Sequence, residues 1–297
     1  MRLHLAILST TFLLGACQTV QDQSIPISQD FSQGSNQFNV KRPTWRLSDS
    51  VYQQQLQSQQ DNYVITGTET GWGKSERSHL WFSESGGLLD GFDFKDKFLR
   101  VLFLDLLDMR RKTQSRYSLQ TENDFAFTVN ANQIDATKVK CRLLSMSDHQ
   151  ETVYKMGDNK TRKNENTTRL ISYLGCDLQQ GNQHWYFAVD TMQKDTPLIK
   201  LQLSEQKMEE QIQFKLIRES SYLVNGQWRT MPNNFQQFSG LQIQWGMQDV
   251  GAVSFEGQSP KIWIGKNISK ERKALVIAMS YSVMMYDWLD SGWRSSH

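Results

Sequence analysis

The chain has 297 residues, of which 38% are hydrophobic and 22% charged, and a formal net charge of +2 at pH 7. That length suffices for one large domain or two small ones with an ample core. The near-balance of charge lacks the electrostatic footprint of a nucleic-acid binder, and no stretch reaches the ~18 consecutive apolar residues of a membrane-spanning helix. The sequence has no Gly-x-Ser-x-Gly elbow, no His-Glu-x-x-His pair and no phosphate-cradling glycine loop. By motif, then, it offers no catalytic residues, no metal site and no cofactor.

The N-terminus carries the clearest signal. Met1 to His4 is a short positive start, and Leu5 to Leu14 is an apolar run too short to cross a bilayer as a helix. It leads into Leu14-Gly15-Ala16-Cys17. Small residues there let a peptidase bind the chain extended, and the cysteine offers a thiol that carries lipid. This stretch resembles the lipobox of bacterial lipoproteins, and the resemblance covers the signal region alone. It implies that residues 1–16 are a signal peptide and that Cys17 becomes the lipidated N-terminus, with palmitate-type chains. Each buried methylene contributes ~0.8 kcal/mol, and more than one chain gives stable anchoring. Gln18, where an Asp would favour retention at the inner membrane, implies the outer membrane, with the periplasmic side favoured over the cell surface.

Residues 17–44 are rich in Gln, Ser, Asp and Asn with little apolar periodicity. They are expected to be a flexible tether holding the domain on the order of 30 Å from the membrane. Residues 45–297 are expected to form a single domain. Gln53 to Gln60 is low-complexity, a polar helix or more tether. Tyr63 to Gly67 and His79 to Phe82 read as strands. Between them Trp72, Lys74, Glu76, Arg77 and His79 form a charged, glycine-flexed loop, the candidate ligand loop. A helix is expected over Phe92 to Lys112, with Asp105 beside its apolar face.

From Phe125 to Ile264 many short alternating segments follow without helix-length separators, which rules out parallel β-α-β units as the main plan. Asn225-Gly226, between Tyr222-Leu223-Val224 and Gln227-Trp228-Arg229, is the best hairpin signal, because both central residues of a type I′ turn need positive φ. A second helix is expected over Lys270 to Leu289, capped by Ser269 and apolar almost all round from Ala274 to Tyr286, and therefore buried. The alternative there is a strand over Ala274 to Met279. The fold class is α+β: an antiparallel β-rich meander, as a sandwich, partial barrel or curved sheet, with two packing helices.

There are three cysteines. With Cys17 lipidated, Cys141 and Cys176 remain, each on the apolar face of an alternating strand. In an oxidising compartment they favour one structural disulfide over two separate buried thiols. The expected role is that of a lipid-anchored binding or accessory component of the cell envelope, without catalysis. Its expected partners are the membrane through the lipid, and an envelope protein or peptidoglycan. The rival is an envelope hydrolase acting on glycan or lipid, for which His79 or His184 would have to meet Glu76 or Asp105. A third reading is a surface-exposed interaction protein. Among the nine tryptophans, Trp72 is the first candidate for stacking on a sugar ring.

Overall fold

The computed structural model describes residues 22–43, 53–58, 61–70, 74–86, 111–155, 161–190, 198–203, 212–232, 238–256, 260–290 and 294. The fold is organised around its C-terminal helix, α2 (Lys270–Leu289), which Ser269 caps by accepting a hydrogen bond from the Arg272 amide at 3.3 Å. Every residue of α2 from Lys273 to Asp287 is buried. A helix without a polar face needs cover all round, and two antiparallel sheets supply it.

On one side lies an eight-stranded sheet. Its strands are β3 (Gln54–Gln57), β4 (Asn62–Thr70), β5 (Lys74–Gly86), β6 (Arg111–Ala131), β7 (Thr137–Lys155), β8 (Thr161–Gln180), β9 (Gln183–Asp190) and β10 (Leu198–Leu203). Their order is β10-β9-β8-β7-β6-β4-β3, and β5 continues beside the far half of β6. On the other side are β2 (Ser35–Asn39), β11 (Ile212–Ile217), β14 (Gly240–Trp245), β15 (Gln248–Ser254) and β16 (Lys261–Gly265), in the order β11-β14-β15-β16-β2. A third, small sheet joins β1 (Asp22–Ser24), β12 (Glu219–Val224) and β13 (Gln227–Pro232). The fold is thus the expected antiparallel α+β meander.

Alternation decides which side chains reach the helix. Phe125, Phe127 and Val129 of β6, Val139, Cys141 and Leu143 of β7, and Leu174, Cys176 and Leu178 of β8 are all buried in one cluster with α2 and with Leu241, Ile243 and Val253 of the second sheet. Phe127 meets Tyr281 of α2 edge-on at 4.8 Å. Past the helix the sheets touch directly: Trp185 packs on Trp245 at 5.9 Å and Phe187 on Phe214 at 5.8 Å. At Gly251 the helix comes so close that a Cβ would lie 2.6 Å from Val276 Cγ1. Cys141 and Cys176 stand directly opposite each other in the β7–β8 ladder and form the expected disulfide.

Asn225 and Gly226 adopt φ of 52° and 74° between β12 and β13, the expected hairpin turn. The helix expected over Lys270 to Leu289 forms as read, which removes the strand alternative. The basic first turn, unfavourable for the helix dipole, is used for side-chain contacts instead. Lys273 Nζ donates to Asp61 Oδ2 at 2.9 Å, and both side chains are under a tenth exposed. The Arg272 guanidinium lies 4.6 Å from the Trp245 ring centroid.

Three expectations are corrected, and a fourth is corrected at its end alone. The first is the tether over 17–44, because residues 22–43 belong to the fold. β2 completes the edge of the second sheet against β16, and α1 (Gln29–Gln33), capped by Ser28, covers that sheet's outer face. Ile25 and Phe31 bury against Ala252 and Trp263 there, while Phe38 and Val40 join the main core. The domain therefore begins by Asp22 rather than at residue 45. The second is the glutamine-rich stretch, which contains β3, with Gln54 and Leu56 buried. The third is the candidate ligand loop. Lys74 to His79 lies in β5, hydrogen-bonded to β6, so it is strand rather than flexible loop. The fourth concerns the helix expected over Phe92 to Lys112. Arg111 and Lys112 open β6, and residues 92–110, including Asp105, lie outside the described residues.

The buried Lys273–Asp61 pair ties the start of β4 to α2. Breaking a buried ion pair leaves an uncompensated charge and costs about 3–5 kcal/mol. Lys273→Ala is expected to lower the unfolding free energy by that order in urea denaturation. A loss no larger than that of an exposed lysine, such as Lys270→Ala, would contradict the pairing.

Candidate functional site: an outer-face trough and a polar cluster

The face of the large sheet turned away from α2 carries the alternate set of side chains. Over β6 to β9 these include Glu122, Asp124, Lys140, Arg142, Tyr173, Asp177 and Tyr186, and together with Glu69 and Thr70 at the end of β4 they line a trough of about 950 Å³. That volume is at the upper end of the range of small-ligand sites. A register shift in the β4–β6 ladder between Thr66 and Glu69 lies at its rim, and such bulges increase the local twist and bend the strand.

The trough holds both charge signs and two aromatics. Arg142 pairs with Glu122 across the β6–β7 ladder. His184 Nδ1 approaches Asp177 Oδ1 at 3.5 Å, too long for a strong hydrogen bond. Tyr173 is 40% and Tyr186 52% exposed. Large aromatics left open on an ordered sheet face are informative, because the hydrophobic effect favours covering them. Phe125, Cys141, Cys176 and Phe187 lie under this face with their side chains in the core, so the floor of the trough is the back of the best-packed region.

A second constellation lies farther out along the same sheet. β6, β7 and β8 are 21, 19 and 20 residues long, or about 65 Å at ~3.3 Å per residue. Their far halves, with β5, form an arm beyond the helix. There Tyr117, His149 and Thr167 stand in one cross-strand row. The Tyr117 and His149 rings stack at 4.8 Å, 1° from parallel. Glu165 Oε1 accepts from the Tyr117 hydroxyl at 2.8 Å and lies 2.8 Å from His149 Nδ1. Ser147 Oγ is 2.8 Å from His149 Nε2. Lys163 Nζ bridges Glu151 and Glu165 at 2.7 and 3.3 Å, and the Arg77 guanidinium lies 3.5 Å over the Tyr117 ring.

The electrostatics follow from these contacts. Hydrogen bonds from Tyr117 and His149, with help from Lys163, pull the Glu165 carboxyl down to about 2. Burial first, and then the bond to Glu165, push the Tyr117 hydroxyl up. In a neutral His149 that donates from Nδ1 to Glu165, Nε2 is the nitrogen that accepts from the Ser147 hydroxyl. A Ser–His–Glu relay of this kind is the arrangement that activates a hydroxyl nucleophile.

The structure distributes the sequence candidates unevenly. Of the expected loop, Glu76 and Arg77 are exposed on β5, and Arg77 joins the cluster through Tyr117. Lys74 and His79 take their places in the β5–β6 ladder opposite Glu122 and Tyr117. Trp72 and Cys17 lie outside the described residues. His184 reaches the trough's Asp177, not Glu76. Tyr173 and Tyr186 were missed although the signal was present: with Cys176 facing the core, Tyr173 must face out. His149 and Glu165 were missed because only the β7–β8 register brings them together. The sequence matches no family model, no curated protein and no solved structure.

Glu165 is held below its ordinary value of 4.5, so the cluster's contribution to stability is full above that value and is lost as pH falls toward about 2. Backbone amides of the arm are expected to hold their exchange protection down to pH near 4.5 and to lose it selectively below. Glu165→Gln is expected to abolish that pH dependence. Arm and core losing protection together in both proteins would contradict the assignment.

Proposed function

We propose that the chain is a lipid-anchored lipoprotein of the bacterial outer membrane, on the periplasmic side, and that it works as a binding or accessory component with the sheet trough as its binding surface. Its partner is an envelope component, protein or peptidoglycan. The observation that carries the binding reading is the pair of exposed tyrosines, Tyr173 and Tyr186, in a trough of mixed charge on an otherwise ordered sheet face. The lipobox resemblance at Cys17 supports the address. Five residue steps separate Cys17 from Asp22 at the start of β1, a reach of at most about 18 Å. The anchor would therefore hold the domain close to the bilayer, not at the end of a long tether.

One specific observation favours a second reading, an envelope hydrolase acting on glycan or lipid: the Ser147–His149–Glu165 relay. It differs from the groups the sequence pointed to, since its histidine is His149.

A photo-crosslinking residue in place of Tyr186, in living cells, separates these readings from failure. The binding reading expects a defined adduct that disappears in the Cys17→Ala background, and no labelling of Ser147 by a fluorophosphonate probe. The hydrolase reading expects Ser147 labelling that is lost in both Ser147→Ala and His149→Ala. No adduct from the trough while a crosslinker at exposed Trp228 yields one would overturn the trough as the binding surface.

A further inference from the structure

Resting on the trough as the binding surface, we infer that its ligand is a linear glycan, and that Tyr173 and Tyr186 are two stacking platforms for its pyranose rings. In the β8–β9 ladder Tyr173 is opposite Asp190 and Asp177 is opposite Tyr186. The two tyrosines are therefore four residues apart along neighbouring strands, about 13 Å between their backbone positions. The Tyr173 ring leans over Gly175, which leaves about 7 Å along the strands between it and the level of Tyr186, a span that one or two linked sugar rings bridge.

Gly175 sets the attitude of the first platform. The Tyr173 side chain leans forward along its own strand over Gly175, where a Cβ would meet Cε1 at 3.0 Å and Oη at 3.1 Å. A Cβ at position 175 would press on the ring and make it give by a few tenths of an ångström. A ring leaning along the strand can present its face to a ligand in the trough, and the apolar face of a pyranose is what packs on an aromatic face.

The polar lining fits the same ligand class. Lys140 and Arg142 supply donors, Asp124 and Asp177 supply acceptors, and they are interspersed around the tyrosines. Glu69, Glu122, Asp124 and Asp177 outnumber the two cations, which disfavours a polyanion by like-charge repulsion. A protein segment docking by apolar side chains would have to desolvate these charges without partners. A glycan, whose hydroxyls both donate and accept, satisfies acids and bases alike.

The test is equilibrium binding of the full chain to two probes, the hexasaccharide of β-1,4-linked N-acetylglucosamine and isolated peptidoglycan sacculi. Wild type is expected to bind both. Tyr173→Ala and Tyr186→Ala are each expected to weaken binding roughly three- to tenfold. Gly175→Ala keeps every polar group and both rings but shifts one, and it is expected to weaken binding measurably but less than Tyr173→Ala. Trp228→Ala, which removes an exposed aromatic outside the trough, is expected to bind as wild type, and matched thermal unfolding of the variants shows that they fold.

Binding of neither probe, with an envelope protein captured through the trough instead, would overturn the glycan assignment and leave the trough as the binding surface. Glycan binding that all three trough variants retain would overturn the assignment of the platforms. No ligand of any kind at the trough would overturn both this inference and the binding reading beneath it.

Discussion

The C-terminal helix has no side it can show to water. From Lys273 to Asp287 each residue is buried, and several of its polar members have partners. Ser282 turns its hydroxyl back to the Ala278 carbonyl at 2.8 Å, Lys273 reaches Asp61, and Asp287 takes Arg294 Nε at 2.5 Å. Burial pushes the Asp287 carboxyl up while Arg294 works against it. Such a helix forces a sheet onto each of its flanks, because a single sheet would leave half of it wet. The five-stranded sheet, the eight-stranded sheet and the N-terminal segment that closes the edge of the first all follow from that requirement.

The same constraint positions the candidate binding face. Alternation is unbroken over the halves of β6 to β9 that line the trough, so committing Phe125, Cys141, Cys176 and Phe187 to the core commits Asp124, Arg142, Gly175 and Tyr186 to the opposite face. A slip of one residue in any of these strands would bury charges and expose the core. The Cys141–Cys176 bridge crosses the β7–β8 ladder beneath the trough, and Cys141 Sγ contacts the Ser282 hydroxyl of the helix at 3.7 Å. A platform for ring stacking has to be rigid to be selective, and here rigidity comes from the core below it. Among the described residues the arm has no helix beneath it, and there the Tyr117–His149–Glu165 cluster and ion pairs tie its strands together.

Sequence pattern was most legible where burial is one-sided or complete. The C-terminal helix, the Asn225-Gly226 turn and the inward-facing cysteines each follow from a local rule that the tertiary structure does not override. The N-terminal segment was not legible, because Ile25, Phe31, Phe38 and Val40 are spread thinly among polar residues and share no period. They are buried because β16 offers an edge and Trp263 a surface, both more than two hundred residues away in the chain. The lengths of β7 and β8 were hidden for a similar reason: Ser145 to Lys155 and Thr161 to Thr168 are mostly polar, with no apolar alternation, and ladder partners make them strands. At the candidate site, the outward parity of Tyr173 could be read from Cys176, but the concavity of the sheet could not. The meeting of His149 with Glu165 depends on a pairing register that no local pattern encodes.

Native-state hydrogen exchange of the α2 amides tests the central claim most directly. If the helix is the middle layer between two sheets, its amides from Ala274 to Tyr286 exchange only through global unfolding, with the same free energy as the amides of β7 and β15 on either side. Exchange of α2 through a local opening well below the global unfolding free energy would contradict the layered arrangement and, with it, the rigid floor beneath the trough.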